Sequence, residues 1–188
     1  RGAACHGGMP QYGKDAIVAA AAIIMNLQTL VSRTVAPIDP LVITVGKING
    51  GLNYNIVSDH VELAGCVRTY SKNLRAEMAD KITELIENTA KAFGCTAELD
   101  YQWKTASIIH DDERMNQIAR NAVIRLYGEE GLGVLPPIGG SDDFAFFSER
   151  TPGIFAWIGG RNQALDCVYN HHHASFNIDE SVLKRGAA

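Results

Sequence analysis

Apolar and polar positions alternate along this chain with two different periods. Between Lys14 and about Thr34 the residues Ile17, Ala21, Ile24, Leu27 or Gln28, and Val31 recur at helical spacing in an alanine-rich run. This predicts a helix with a wide apolar stripe, packed on a sheet. Asp15 falls in its first turn and Arg33 in its last, where each suits the helix dipole, and Pro37 and Pro40 end it. Leu41–Ile48 and Val61–Tyr70 are rich in β-branched residues and predict two strands, joined by the long Asn/Gly loop 49–59. From 72 to 93, Leu74, Met78, Ile82, Leu85, Ile86, Thr89 and Phe93 form one stripe, with Ser71 or Asn73 as cap and Gly94 as stop. Cys95–Lys104 alternates like a strand. Residues 1 to 12 read as the end of a strand followed by a Gly/Pro loop carrying His6, so the order is βαββαβ. That is an α+β, ferredoxin-like arrangement with one sheet covered by two helices.

After Ser107 the pattern changes. A helix is predicted from Asp111 or Asp112 to Tyr127, then a Gly/Pro-rich stretch, then a short helix with Ser141 as cap and Asp142 and Asp143 in its first turn. Ile154–Ile158 is a short apolar run of the kind that forms a buried strand in an α/β sheet. About eighty residues with one clear strand do not close a core, so the rest of that sheet is expected from elsewhere. The chain also opens on Arg1 and stops just as a helix begins near Leu183, and both ends read as excised.

Composition narrows the functional classes. With 46% hydrophobic and 20% charged residues among 188, the chain is ordinary globular material, and a net charge of −4 gives no footprint for nucleic acid or an anionic membrane. No uninterrupted apolar run reaches the roughly 18 residues a bilayer span needs. Cys5, Cys66, Cys95 and Cys167 have no metal-type spacing and are expected to be reduced and mostly buried in a cytoplasmic protein.

Chemistry concentrates in Tyr169–Glu180, which holds His171, His172 and His173 side by side. Neutral imidazole is a common ligand for zinc-like metals. In an extended chain at most two neighbours share a target, and no HExxH or CxxC supplies partners. The residues alone leave two readings open: a metal ligand, or a solvated loop whose imidazoles cap a helix or stack on Tyr169. His6, after a strand, is by itself more often structural than catalytic.

Six segments in order carry a resemblance. They are Cys5-His6-Gly7-Gly8-Met9-Pro10, the run from Val45 to Gly51, Asn55-Ile56-Val57-Ser58-Asp59, the run from Gly65 to Tyr70, Gly140-Ser141-Asp142-Asp143-Phe144, and the histidine stretch leading to Phe176. Together they resemble the di-zinc aminoacylase and carboxypeptidase family, in the branch of hippurate and indole-acetyl amino acid hydrolases. The resemblance implies that 1–107 is a ferredoxin-like lid that makes a homodimer. Residues 108–188 would then be the C-terminal part of an α/β zinc-peptidase catalytic domain, whose other ligands and general base lie upstream. His172 aligns with the last metal ligand, although His171 and His173 flank it and Ala174 stands where the family has Pro. His6 aligns with a lid histidine that reaches the partner subunit's site and polarises the scissile carbonyl. Asn55 and Arg68 align with residues that hold substrate, Arg68 through a fork suited to a carboxylate. Asp142 stands where the family often has Glu and, with Asp143, would shape the site or fix its loop; Ser141 and Asp142 are counted with the substrate-binding residues.

The expectation is a fragment, inactive alone, of an amidohydrolase that cleaves N-acyl amino acids. Its cofactor would be two zinc ions, with manganese or cobalt as substitutes. Its rivals are a dipeptidase or carboxypeptidase of the same family, and a non-catalytic dimerisation or binding module.

Overall fold

A computed structural model describes residues 1–109, 112–133, 135, 136, 138 and 140–187. The chain divides into two compact units, Arg1–Ser107 with Gly139–Ala145, and Ile108–Ile138 with Phe146–Ala188.

In the first unit the elements run β1 (Cys5–His6), α1 (Ala16–Thr29), β2 (Leu41–Gly50), β3 (Ile56–Val57), β4 (Val61–Thr69) and α2 (Lys72–Ala92). The strands form two antiparallel pairs, β1 with β3 and β2 with β4. Asp15 proves to be the N-cap of α1 rather than a first-turn residue: its carboxylate accepts from the N–H groups of Ile17 and Val18. The helix continues through one wide turn, Leu30–Thr34, before the prolines. The face α1 buries is also not the predicted one. Ala16, Ala19, Ala20, Ile23 and Leu27 are buried, whereas Ile17 and Val18 are exposed. In a helix this apolar the stripe does not choose the face, and the alanines are among its most buried residues. By length and composition Ala16–Thr34 is the one helix among the described residues long and apolar enough to cross a membrane, although the sequence shows no uninterrupted apolar run of that length. Here its buried face joins the core of the first unit.

Helix α2 follows the sequence closely. Ser71 accepts from the Leu74 N–H at its start, and Gly94 ends it with φ 68°, a conformation that disfavours any side chain. Met78, fully buried, packs with Ile82, Ile86, Ile23, Leu27 and Leu41 in one cluster. Thr89 is buried too, and its hydroxyl accepts from the Asn26 amide at 3.1 Å. The predicted strand Cys95–Lys104 is not one. Its side chains alternate, with Ala97, Leu99 and Tyr101 turned to the core, but it belongs to no ladder. The structure therefore shows α+β elements with two-stranded pairs.

In the second unit α3 (Glu113–Tyr127) starts at Asp112, whose carboxylate accepts from the Met115 N–H; the alternative start, Asp111, lies outside the described residues. No residue of α3 is buried. Short helices α4 (Phe144–Ser148) and α5 (Leu183–Ala187) follow. Ile154–Ile158 is neither a strand nor buried. It belongs to no ladder among the described residues. Of the four cysteines, all free, Cys95 and Cys167 are buried, Cys5 is half-buried and Cys66 is exposed, so burial is less general than expected.

Candidate functional site

The His6 loop is built by a close approach of two backbones. Cys5 and His6 pair with Val57 and Ile56, and the next amide, Gly7, donates to the Asn55 carbonyl at 2.8 Å. A Cβ on Gly7 would sit 2.8 Å from that same oxygen, so the approach requires glycine. The Gly8 N–H donates to His6 Nδ1 at 3.0 Å. A neutral imidazole that accepts at Nδ1 carries its proton on Nε2. His6 is exposed, so it presents an N–H donor outward. Asn55, also exposed, spends its carbonyl on Gly7 and keeps its side-chain amide free of hydrogen bonds to described residues. The structure thus brings His6 and Asn55 to adjacent strand ends.

Arg68, exposed near the end of β4, donates from Nη1 to Ser141 Oγ at 3.0 Å. It has no acidic partner among the described residues, where the ion pairs are His60–Glu62 and Lys81–Glu77. A neutral hydroxyl orients the guanidinium and leaves its charge unspent, with donors over for a carboxylate. Ser141 is not the cap of α4. Asp142 takes that place: its carboxylate accepts from the Phe144 N–H at 2.9 Å and its carbonyl from the Ala145 N–H. The sequence pattern named both residues but exchanged their local duties.

The three histidines, all in the second unit, are not equivalent. His171 stacks on Trp157, with centroids 6.1 Å apart, and meets the edge of Phe176 at 4.9 Å. His173 lies nearly parallel to Tyr169 at 4.3 Å, and its Nδ1 accepts from the Ser175 N–H. His172 is exposed, adopts the left-handed backbone with φ 68°, and has neither a ring contact nor a hydrogen bond to any described residue. The aromatic frame of Trp157, Tyr169 and Phe176 therefore occupies two imidazoles and leaves the third. Of this frame only Tyr169 was marked in the sequence, as a stacking partner; Trp157 lies too far along the chain for spacing to find it.

Asn162 and Asp179 brace the residues on either side. Asn162 donates its amide to the Asp179 carboxylate at 2.7 Å, and the Asp179 N–H donates to the Gly160 carbonyl. The Asn162 amide, and after it the Ser181 N–H, hold the Asp179 carboxyl below the usual range. Among the described residues no group of three or more His, Cys, Asp or Glu side chains could hold a metal. His172 is one donor, and a zinc-type site needs three or four, so the described residues do not enclose a metal by themselves.

Residues 1–93 match the M20 peptidase dimerisation domain. The chain is 33% identical, over 99% of its length, to a probable hydrolase from Synechocystis, of which it covers 47%. It is 32% identical, over 97% of its length, to N-acetyl-L-cysteine deacetylase of Bacillus subtilis, of which it covers 42%. It is 31% identical to the IAA-amino acid hydrolase ILR1-like 4 of Arabidopsis thaliana over 97% of its length, 42% of that protein. Among solved structures it superposes on a putative aminohydrolase from methicillin-resistant Staphylococcus aureus, with TM-score 0.83, 29% identity and coverage of 100% of this chain and 46% of that one. A dinuclear metal binding peptidase of the M20 family from Bacillus subtilis gives TM-score 0.66 and 25% identity, over 99% of this chain and 46% of that one. The chain spans about half the length of the curated relatives it matches.

Proposed function

We propose that this chain is part of a zinc-dependent amidohydrolase that cleaves the amide bond of N-acyl amino acids. The observation that carries the reading is the Gly8 N–H on His6 Nδ1, which leaves an exposed Nε2–H suited to the oxygen of a scissile carbonyl. Relatives described as a deacetylase and an amino acid hydrolase support the substrate class. In such hydrolysis a bound metal polarises the carbonyl and lowers the pKa of an attached water.

This chain's own contributions are five. His6 donates to the oxygen as negative charge develops there, acting across a homodimer formed by the lid. Arg68, oriented by Ser141, holds the substrate carboxylate, and Asn55 hydrogen-bonds the substrate beside His6. Asp142 fixes the loop that carries Ser141. His172, whose ring touches no described residue, serves as a metal ligand, and the remaining ligands come from outside these 188 residues. The same reading gives residues 1–107 a ferredoxin-like βαββαβ lid, followed in 108–188 by the last part of the catalytic domain, in a cytoplasmic enzyme. A peptidase of the same family is the second reading, favoured by the likeness to the dinuclear metal binding peptidase.

The test is zinc content together with hydrolysis of N-acetyl amino acids and dipeptides by the full-length polypeptide. His6→Ala is expected to lower kcat about 10²–10³-fold with metal content unchanged, the scale for losing one oxyanion donor. His172→Ala is expected to lose metal and activity together. A folded full-length protein that binds no metal and cleaves neither substrate class would overturn the proposal in favour of a non-catalytic dimerisation module.

A further inference from the structure

Residues 169–178, which hold His171, His172 and His173, are exposed without exception. Apolar burial therefore gives this loop no reason to keep one shape. Yet it keeps a shape that local forces do not favour. The His173 N–H donates to the Asn170 carbonyl at 3.2 Å, closing a turn in which His172 stands third with φ 68°. A type II turn demands positive φ at that place and ordinarily takes glycine or asparagine there. A histidine in the left-handed region persists only where its surroundings over-determine the backbone.

Those surroundings converge on Asn162. Its backbone N–H and C=O pair with Cys167, at 3.0 and 2.9 Å, where the loop begins. Its side-chain oxygen accepts from the Ala164 N–H at 3.0 Å, and this fixes which way the amide points, since a backbone N–H can meet only the oxygen. The amide nitrogen is thereby turned to Asp179, where the loop ends, and donates to one carboxylate oxygen at 2.7 Å. The other oxygen accepts from the Ser181 N–H at 2.9 Å, and the Asp179 N–H donates to the Gly160 carbonyl at 3.0 Å. The two limbs are close enough that a Cβ on Gly160 would lie 3.3 Å from Cβ of Ile178. One residue thus bonds both ends of the loop, while the stacking of His171 on Trp157 ties its middle. A hydrogen bond to an ionised carboxylate is stronger than one between neutral groups, and the depressed pKa of Asp179 agrees with it.

We propose that Asn162, with Asp179 as its partner, is the positioning residue of this loop: by holding both ends it presents the His172 ring to the metal. The step from loop to metal rests on the hydrolase reading; the step from Asn162 to the loop does not. Asn162 acts through His172, whose neighbours His171 and His173 already have their rings stacked on Trp157 and Tyr169. A ligand carried on exposed backbone binds more tightly when its place is fixed beforehand, because less freedom is lost on binding. The groups that orient a ligand from behind are for that reason worth nearly as much to a metal site as the ligand itself.

The test is an exchange of donor and acceptor in the full-length polypeptide. Asn162→Asp alone sets two carboxylates against each other, and Asp179→Asn alone leaves an NH₂ group facing either the Asn162 amide or the Ser181 N–H. The two substitutions together restore every bond, with the amide at 179 and the carboxylate at 162. Amide exchange is followed in the metal-free protein at His173 and Phe176, whose N–H groups close the turns of the loop onto Asn170 and His173. Zinc affinity is measured by competition with a chelator, and the visible absorption of the cobalt-substituted protein reports ligand geometry, which a change in stability alone would not move. Each single substitution is expected to speed both amides at least about tenfold, to weaken zinc about 10–100-fold and to shift the cobalt spectrum. The double substitution is expected to return all three to the unsubstituted values. Unchanged amides in the single variants, or amides still fast in the double one, overturn the proposal. So do faster amides with unaltered zinc affinity and cobalt spectrum, which would leave a brace with no bearing on the ligand. Should the unsubstituted protein take up no zinc, the hydrolase reading falls, and the amide comparison alone upholds or overturns the hold of Asn162 on the loop.

Discussion

The two helices α2 and α3 are both long, capped by a side chain at the start and patterned at helical spacing, yet they end up in different states. α2 buries Met78, Ile82, Ile86, Thr89 and Ala90 against α1 and Leu41. α3 buries nothing, and Ile118 and Leu126 on it are more than half exposed. A pattern gives a helix an apolar face; only a partner makes that face worth burying, since most helical stability in proteins comes from tertiary packing. The first unit holds a cluster of ten buried residues, whereas Cys167 is the one buried residue among those described in the second. The difference separates a region that owns its core from one that displays half of a core.

The largest test of this contrast is a pair of truncations. Met78→Ala is expected to cost the first unit about 2–5 kcal/mol, from lost burial and the cavity left behind. Ile118→Ala on α3 is expected to cost under about 1 kcal/mol. Denaturant unfolding followed in each unit separately checks both, and equal costs would erase the contrast. A smaller test compares the caps. Ser71→Ala removes the acceptor for the Leu74 N–H and is expected to cost about 1 kcal/mol. Asp112→Ala is expected to shorten α3 locally, visible as faster exchange at Met115, without shifting the midpoint of the first unit.

The smallest effect is one of pH. Because the folded-state pKa of Asp179 is depressed, its contribution is present above the ordinary carboxylate range and is lost as pH falls through the folded value. Asp179→Asn is expected to flatten the acid dependence of exchange at Ser181, whose N–H the carboxylate accepts. Unchanged acid dependence would show that the brace contributes nothing to the second unit.

What was legible in the sequence was whatever a residue decides with its near neighbours. The spacing of Leu74, Met78, Ile82 and Ile86, the Ser71 cap and Gly94 mark α2 almost to the residue. Local pattern fails where the outcome belongs to a pair. Cys95–Lys104 has the alternation of a strand and turns Ala97, Leu99 and Tyr101 inward accordingly, but a ladder needs a second backbone. The choice of Ala16, Ala19 and Ala20 as the buried side of α1 belongs to the packing of the unit, which an almost uniformly apolar helix does not announce. For the candidate site, His6, Asn55 and Arg68 stood out by motif. The separation of His172 from its neighbours needed Trp157 and Phe176 in space, and the exchange of roles between Ser141 and Asp142 needed the position of Arg68.

The pairing of β2 with β4 shifts by one residue between Val45 and Lys47, leaving Gly46 as the odd residue with nothing near the position of a Cβ. β2 is paired on one side only, and an open edge of ten residues is a template on which other chains add without limit. A bulge interrupts that template by bending the strand and increasing its twist, and Lys47 beside it adds a charge that an incoming strand would have to desolvate. The extra residue that interrupts the ladder inside the molecule thus limits fibre growth outside it, and deleting Gly46 to restore the ladder would favour aggregation through the edge.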